Sequence, residues 1–136
     1  MRVLIPDFAK CGGLICVVAQ DYTTREILMV AYTDKAGYLE TLETGEAVYF
    51  TRSRWKRWKK GETSGSIQIV RQIFIDCDGD ALVYLVEQKG GITCHTDARS
   101  CFYRDFSGKQ LMPAPEVSCI DNLLVTEQQV IDRLCS

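Results

Sequence analysis

Three cysteines and three aspartates are the residues of this 136-residue chain best suited to chemistry. Cys94 and Cys101 bracket a segment that holds the only histidine, His95, and follows the glycine pair Gly90 and Gly91. Soft thiolates suit Zn²⁺, and three cysteines without a fourth protein ligand leave one coordination position for water, as catalytic zinc sites do. The spacing carries a geometric test. Sulfurs on one tetrahedral zinc lie about 3.8 Å apart, whereas seven helical residues advance about 10 Å along the axis. The stretch from Cys94 to Cys101 is therefore not one straight helix if both hold the same ion. His95 has three readings, as ligand, general base or buried imidazole, and its place beside Cys94 favours the first two.

The third cysteine, Cys77, lies inside the run Asp76, Cys77, Asp78, Gly79, Asp80, between two apolar segments. In extended backbone the three aspartates share one face and Cys77 points away from it. Three carboxylates on one face raise one another's pKa unless a cation sits among them. Mg²⁺ or Ca²⁺, with oxygen ligands, is the natural fit, and a solvated acidic turn is the plainer alternative. Asp76, Asp78, Asp80 and Glu87 also fall on positions 1, 3, 5 and 12 of an EF-hand loop, but Ala81 replaces its glycine and strand-like segments flank it where helices are required.

Charge is concentrated in one place. Arg52, Arg54, Lys56, Arg57, Lys59 and Lys60 fall within nine residues without an acid, while the whole chain has a net charge of −2. That balance argues against a general nucleic-acid coat and leaves a local anion site open, with Trp55 and Trp58 interleaved as stacking or packing residues. Seven cysteines cannot all pair within one chain, and a domain of this size does not need disulfides. Cys11, Cys16, Cys119 and Cys135, which lack polar company, read as packing residues. No apolar run approaches the ~20 residues of a membrane span, and the run at Gly13 to Ala19 is too short for a signal peptide. A cytoplasmic protein without a membrane segment is the expectation.

The elements that must position these groups are legible in outline. Leu14–Ala19 and Ile27–Tyr32, separated by the polar stretch Asp21–Arg25, predict a hairpin. Asp34 caps a helix over Lys35–Glu43, with Tyr38, Leu39 and Leu42 on its inner face and Gly45 as the stop. Ala47–Arg54, Ile67–Ile75 and Ala81–Gln88 read as strands, and Lys60–Ser66 as a loop. Thr126 and Gln129 form a capping box before a helix bearing Val130, Ile131 and Leu134. The fold class is α+β: one strand-rich domain over residues 1–136, with an antiparallel sheet and a few short helices.

Read in order, the segments AY and TLETG, SR and WKKGETSG, DCDGDAL, CHT and SCFY resemble the phosphoribosyl-AMP cyclohydrolases of histidine biosynthesis, from about Ile27 to Arg104. The resemblance implies an obligate homodimer with zinc and magnesium. It assigns Cys77, Cys94 and Cys101 to zinc, with Cys77 supplied by the other subunit, and Asp76, Asp78 and Asp80 to Mg²⁺. It further implies that a zinc-bound hydroxide opens the adenine ring of phosphoribosyl-AMP at N1–C6, giving the phosphoribosylformimino-AICAR phosphate intermediate. His95 is the expected proton carrier, and Arg52, Arg54, Lys60 and Ser64 are the expected substrate contacts. Asp97, Ser66 and Thr33 stand where the family more often has Gly, His or Asn, and Met. Two other classes fit parts of the sequence: a non-catalytic zinc protein binding RNA through residues 52–60, and a thiol redox sensor using Cys77, Cys94 and Cys101.

Overall fold

A computed structural model describes residues 2–111 and 125–136. The elements are β1 (Ile15–Asp21), β2 (Ile27–Thr33), α1 (Lys35–Thr44), β3 (Val48–Thr51), β4 (Lys56–Lys59), β5 (Gln68–Ile75), β6 (Ala81–Gln88), a short 3₁₀ turn over Lys89–Gly91, and α2 (Glu127–Leu134). This is a strand-rich α+β fold.

The six strands form one sheet in the order β4-β3-β2-β1-β6-β5. Every neighbouring pair is antiparallel except β1 and β6, which run parallel from Cys16 beside Ala81 to Asp21 beside Val86. The expected antiparallel sheet is thus corrected to a mixed one. Pairings between chain neighbours are written in turn residues, whereas the β1·β6 seam joins two separately made sets of strands and leaves no local signal. The sheet curls until the Ala47 N–H donates to the Gln68 carbonyl at 2.9 Å and the Val70 N–H to the Gly45 carbonyl at 2.8 Å, which carries β5 back toward the start of β3.

The core lies inside this curl. β1 alternates buried and half-buried residues along its length, as a strand with one face inward must. Ile15, Val17, Ala19, Leu28, Tyr49, Leu82, Tyr84 and Val86 are fully buried and form one cluster. α1 is capped as its sequence dictates: the Asp34 carboxylate accepts from the Gly37 N–H, and Gly45 closes the end at φ 75°. Its inner face differs from expectation. Gly37, Tyr38 and Thr41 are buried, while Leu39 and Leu42 are exposed, because the Thr41 hydroxyl donates to Gly37 O and accepts from the Val48 N–H, turning that side toward β3.

The strand expected over Ala47–Arg54 ends at Thr51, and the chain turns through Arg52–Trp55 into β4. Trp55 sits at the turn with φ 52°, and β4 pairs back on β3 from Lys59 beside Val48 to Lys56 beside Thr51. The basic run is therefore half turn and half edge strand. α2 has the expected capping box, with Thr126 and Gln129 bonded reciprocally, and buries none of its residues. Cys135, expected to pack, is exposed after that helix; Cys11 and Cys16 are half-buried, and Cys119 lies outside the described residues. Among the described residues no helix is long and apolar enough to cross a membrane.

Candidate active site

The segment after β6 folds back on itself and delivers both of its cysteines to one place. The Thr93 and Cys94 N–H groups both donate to the Ala98 carbonyl, at 3.2 and 3.0 Å, and the Asp97 N–H donates to the Cys94 carbonyl at 3.0 Å. Asp97 holds φ 65° in this turn, a left-handed conformation that aspartate tolerates and glycine adopts freely, so the glycine more common in the resembling family fits the same backbone. The loop is then stitched to β2 by the Cys101 N–H on the Leu28 carbonyl (2.8 Å) and the Ser100 hydroxyl on the Ile27 carbonyl (2.7 Å). Arg99 anchors it from outside, with Glu26 at 2.8 Å and Asp21 at 3.5 Å. The segment is not a helix, as the spacing test required.

The result is a pair of neighbouring sulfurs, Cys94 and Cys101, on the wall of a cavity of about 500 Å³. Burial pushes the Cys94 thiol up, but the Thr96 hydroxyl, which donates to Sγ at 3.0 Å, and the Lys60 ammonium outweigh it and hold that thiol below its ordinary value. Desolvation and then the neighbouring Cys94 push Cys101 up to about 12, although the residue as a whole is solvent-exposed. The two thiols are thus pushed in opposite directions, and Cys94 is the easier of the pair to deprotonate. The opposite wall carries Trp58, Lys60, Gly61, Thr63, Ser64 and Ser66, and His95 lies at the rim with Nδ1 4.0 Å from the Cys94 sulfur. Lys60 is buried, its pKa lowered by desolvation, with its ammonium 5.8 Å from the centre of the Trp58 ring.

Gly61 explains how the opposite wall closes. It holds φ 81°, and a Cβ there would lie 2.3 Å from the Ser66 carbonyl carbon and 2.4 Å from the Ile67 nitrogen. Gly65, at φ 79°, has nothing within 4 Å of such a Cβ. Gly65→Ala is expected to cost only its backbone strain, about 1–2 kcal/mol. Gly61→Ala adds a backbone collision of ~1–3 kcal/mol. Thermal unfolding of the two variants checks this: the midpoint falls further in Gly61→Ala, and equal midpoints would refute the collision.

The acidic cluster is real but built differently from expectation. Residues 77–80 form a turn rather than extended strand, so alternation does not bring the aspartates together. Instead the Asp76 carboxylate accepts from the Asp80 and Ala81 N–H groups at 2.9 and 3.1 Å, and Gly79 takes φ 77°. Carboxylate oxygens of Asp76, Asp78 and Asp80 then lie within 4.8 Å of one another. The Lys10 ammonium already sits among them, 2.7 Å from Asp78 and 3.1 Å from Asp80, held by a loop whose Asp7 N–H donates to the Gly79 carbonyl. The three carboxylates are hard oxygen donors that fit Mg²⁺, and an ion bound there would take the place of the Lys10 ammonium. Nothing in the sequence marked Lys10.

Cys77 is exposed on this same turn, at the start of β6, whereas Cys94 follows the end of β6. Eight residues of strand span roughly 25 Å, so Cys77 cannot join Cys94 and Cys101 on one ion within one chain. The structure thus brings Cys94, Cys101, His95, Lys60 and Ser64 to one cavity and leaves Cys77 and the aspartates at the other end of a strand. Arg54 lines a second cavity of about 430 Å³ with Thr51, Ser53 and Lys56, and this cavity shares Trp58 and Thr63 with the first. Arg52 lies over the Tyr32 ring at 4.0 Å. Arg57 pairs with Asp34 at 3.5 Å and Lys59 with Glu46, partnerships that the run of basic residues concealed.

A family model described as phosphoribosyl-AMP cyclohydrolase matches residues 29–103, which span the pocket from Met29 to Cys101. A phosphoribosyl-AMP cyclohydrolase of Desulforapulum autotrophicum is 48% identical over 126 residues, covering 93% of this chain and 92% of its own length. That of Syntrophotalea carbinolica is 55% identical over 97 residues, 71% of this chain and 78% of that one. A histidine biosynthesis bifunctional protein of Aquifex aeolicus is 52% identical over 99 residues, 73% of this chain and 48% of its own longer one. With the doubled-back thiol loop and the cavity wall lying inside the matched region, the chain belongs to the phosphoribosyl-AMP cyclohydrolase family.

Proposed function

We propose that this chain hydrolyses phosphoribosyl-AMP at the N1–C6 bond of its adenine ring, a step of histidine biosynthesis, as a homodimer carrying zinc and magnesium. The observation that carries the reading is the Cys94–Cys101 pair facing Lys60, Ser64 and Trp58 across one cavity, in a chain of this family. A pair of thiols, one of them made easier to deprotonate by its neighbours, suits zinc, and the missing third sulfur is supplied by Cys77 of a second copy. When bound, zinc supplies the Lewis acidity that readies a water for attack at neutral pH.

The chain's own residues do the rest. Trp58 offers an aromatic face to the purine, and Thr63, Ser64 and Lys60 offer donors to a ribose or phosphate. Arg54 and Lys56 in the adjoining cavity lie where the substrate's second phosphate can reach. Water adds its oxygen to C6, the N1–C6 bond breaks, and the water's protons pass to the departing nitrogen and to solvent; His95, at the rim, carries the proton. Of the six basic residues, Arg57 and Lys59 are paired with acids and Lys60 points inward, which favours a small anionic substrate over an RNA strand.

The test is an absorbance assay with phosphoribosyl-AMP, with and without a zinc chelator. Turnover that the chelator abolishes and added zinc restores is expected; no consumption of phosphoribosyl-AMP by zinc-loaded protein would overturn the reading. His95→Ala is expected to keep its zinc and lose about 100-fold or more in kcat, and an unchanged kcat removes His95 from proton transfer.

A further inference from the structure

Gln88 ends β6, at the point between the two loops that face each other across the cavity. Its amide has only one orientation that satisfies its neighbours. The Ser66 carbonyl can only accept, and it takes a bond from Gln88 Nε2 at 2.8 Å. Oε1 therefore faces the other way, where it accepts from Gln68 Nε2 at 2.9 Å and from the Thr93 hydroxyl at 3.1 Å. Gln68 is fully buried and is held in turn by the Tyr49 hydroxyl, which donates to its Oε1 at 2.6 Å. A chain of hydrogen bonds, buried between Tyr49 and Gln68 and half-buried at Gln88, thus runs from β3 through β5 to the end of β6 and stops at two residues with different duties. Thr93 directly precedes Cys94, and Ser66 closes the loop that stacks on Gly61.

We propose that Gln88 is a positioning residue that sets the gap across the cavity, its carbonyl oxygen holding the thiol loop through Thr93 and its NH₂ group holding the 61–66 loop through Ser66. This rests on the reading under Proposed function, which puts zinc on the first loop and substrate contacts on the second. A side chain that merely filled space would loosen both loops alike when altered. An amide that uses each end for a different loop separates them according to which end is changed.

Gln88→Glu keeps an acceptor for Gln68 and Thr93 and places a carboxylate oxygen against the Ser66 carbonyl, so only the substrate wall is released. Thr93→Val keeps the side-chain shape and removes the hydroxyl, so only the thiol loop is released. Losing one such bond is worth about tenfold in a local opening equilibrium. Peptide-level hydrogen exchange on both variants reads the loops directly. Gln88→Glu is expected to exchange about tenfold faster over residues 61–67 and normally over 93–101, and Thr93→Val the reverse. In assays, Gln88→Glu raises KM for phosphoribosyl-AMP about tenfold and releases zinc to a chelator at the wild-type rate, while Thr93→Val releases zinc about tenfold faster with little change in KM. Both loops loosening together in both variants, or neither loosening in either, overturns the proposal. If Gln88→Glu does not fold, Gln88→Met, which removes both ends without adding charge, must loosen both loops where Thr93→Val loosens one. Wild-type protein that binds no zinc refutes the metal reading instead, and the exchange comparison still decides the role of Gln88.

Discussion

Cys101→Ala is expected to lose its stoichiometric zinc and to turn over phosphoribosyl-AMP at least ~1,000-fold more slowly, because the cavity then lacks the Lewis acid that readies water at neutral pH. The size of the effect follows from the pair geometry. Cys94 and Cys101 are the two sulfurs one protomer places together, and removal of either leaves a single thiol on that wall. Cys101 is also the more protonated of the two, pushed up to about 12, so metal binding must expel its proton and zinc loading weakens as pH falls. Cys16→Ala, half-buried on β1, and Cys135→Ser, exposed beyond α2, serve as controls that keep zinc and rate. Metal content by elemental analysis beside kcat decides the matter: one zinc per chain and full turnover in Cys101→Ala removes it from the ligand set.

Mixing two inactive proteins is expected to restore activity. If each site takes Cys77 from one copy and Cys94 with Cys101 from the other, a two-fold dimer holds two sites, each built across the interface. In a heterodimer of Cys77→Ala and Cys101→Ala, both defects fall in one site and the other is intact. Random reassortment makes half the dimers mixed, each with one of two sites working, so an equimolar mixture recovers about a quarter of the wild-type rate. Each variant alone stays inactive, which makes this the larger signal of the two. Sites confined to single chains give no recovery at any ratio. The roughly 25 Å between the two ends of β6 is the physical reason to expect recovery.

What the sequence made legible is what local chemistry writes down. The Asp34 cap, the Gly45 stop, the Thr126 capping box and all of β6 stand where their residues required. The thiol loop is not a helix, which is what two sulfurs sharing one zinc would require. Other features depend on contacts that no neighbour in the chain announces. The three aspartates do converge, but through a turn held by Asp76 rather than through strand alternation, and Lys10 reaches them from a loop far away in sequence. The six-residue basic run looked uniform, yet Asp34 and Glu46 claim Arg57 and Lys59. Gln68 and Gln88 looked like ordinary strand residues, because an amide buried in a hydrogen-bonded chain is indistinguishable in sequence from one facing water.

The parallel seam between β1 and β6 also has a consequence for synthesis on the ribosome. β1 has β2 as a partner early, but its other edge stays open until the chain has been made as far as Val86, so the sheet is completed late. The loop carrying Cys94 and Cys101 is made immediately afterward and docks on Ile27 and Leu28, which by then are already paired. All six strands thus precede the paired thiols in the chain, so a fragment released after Ile92 holds every residue of the sheet and neither Cys94 nor Cys101.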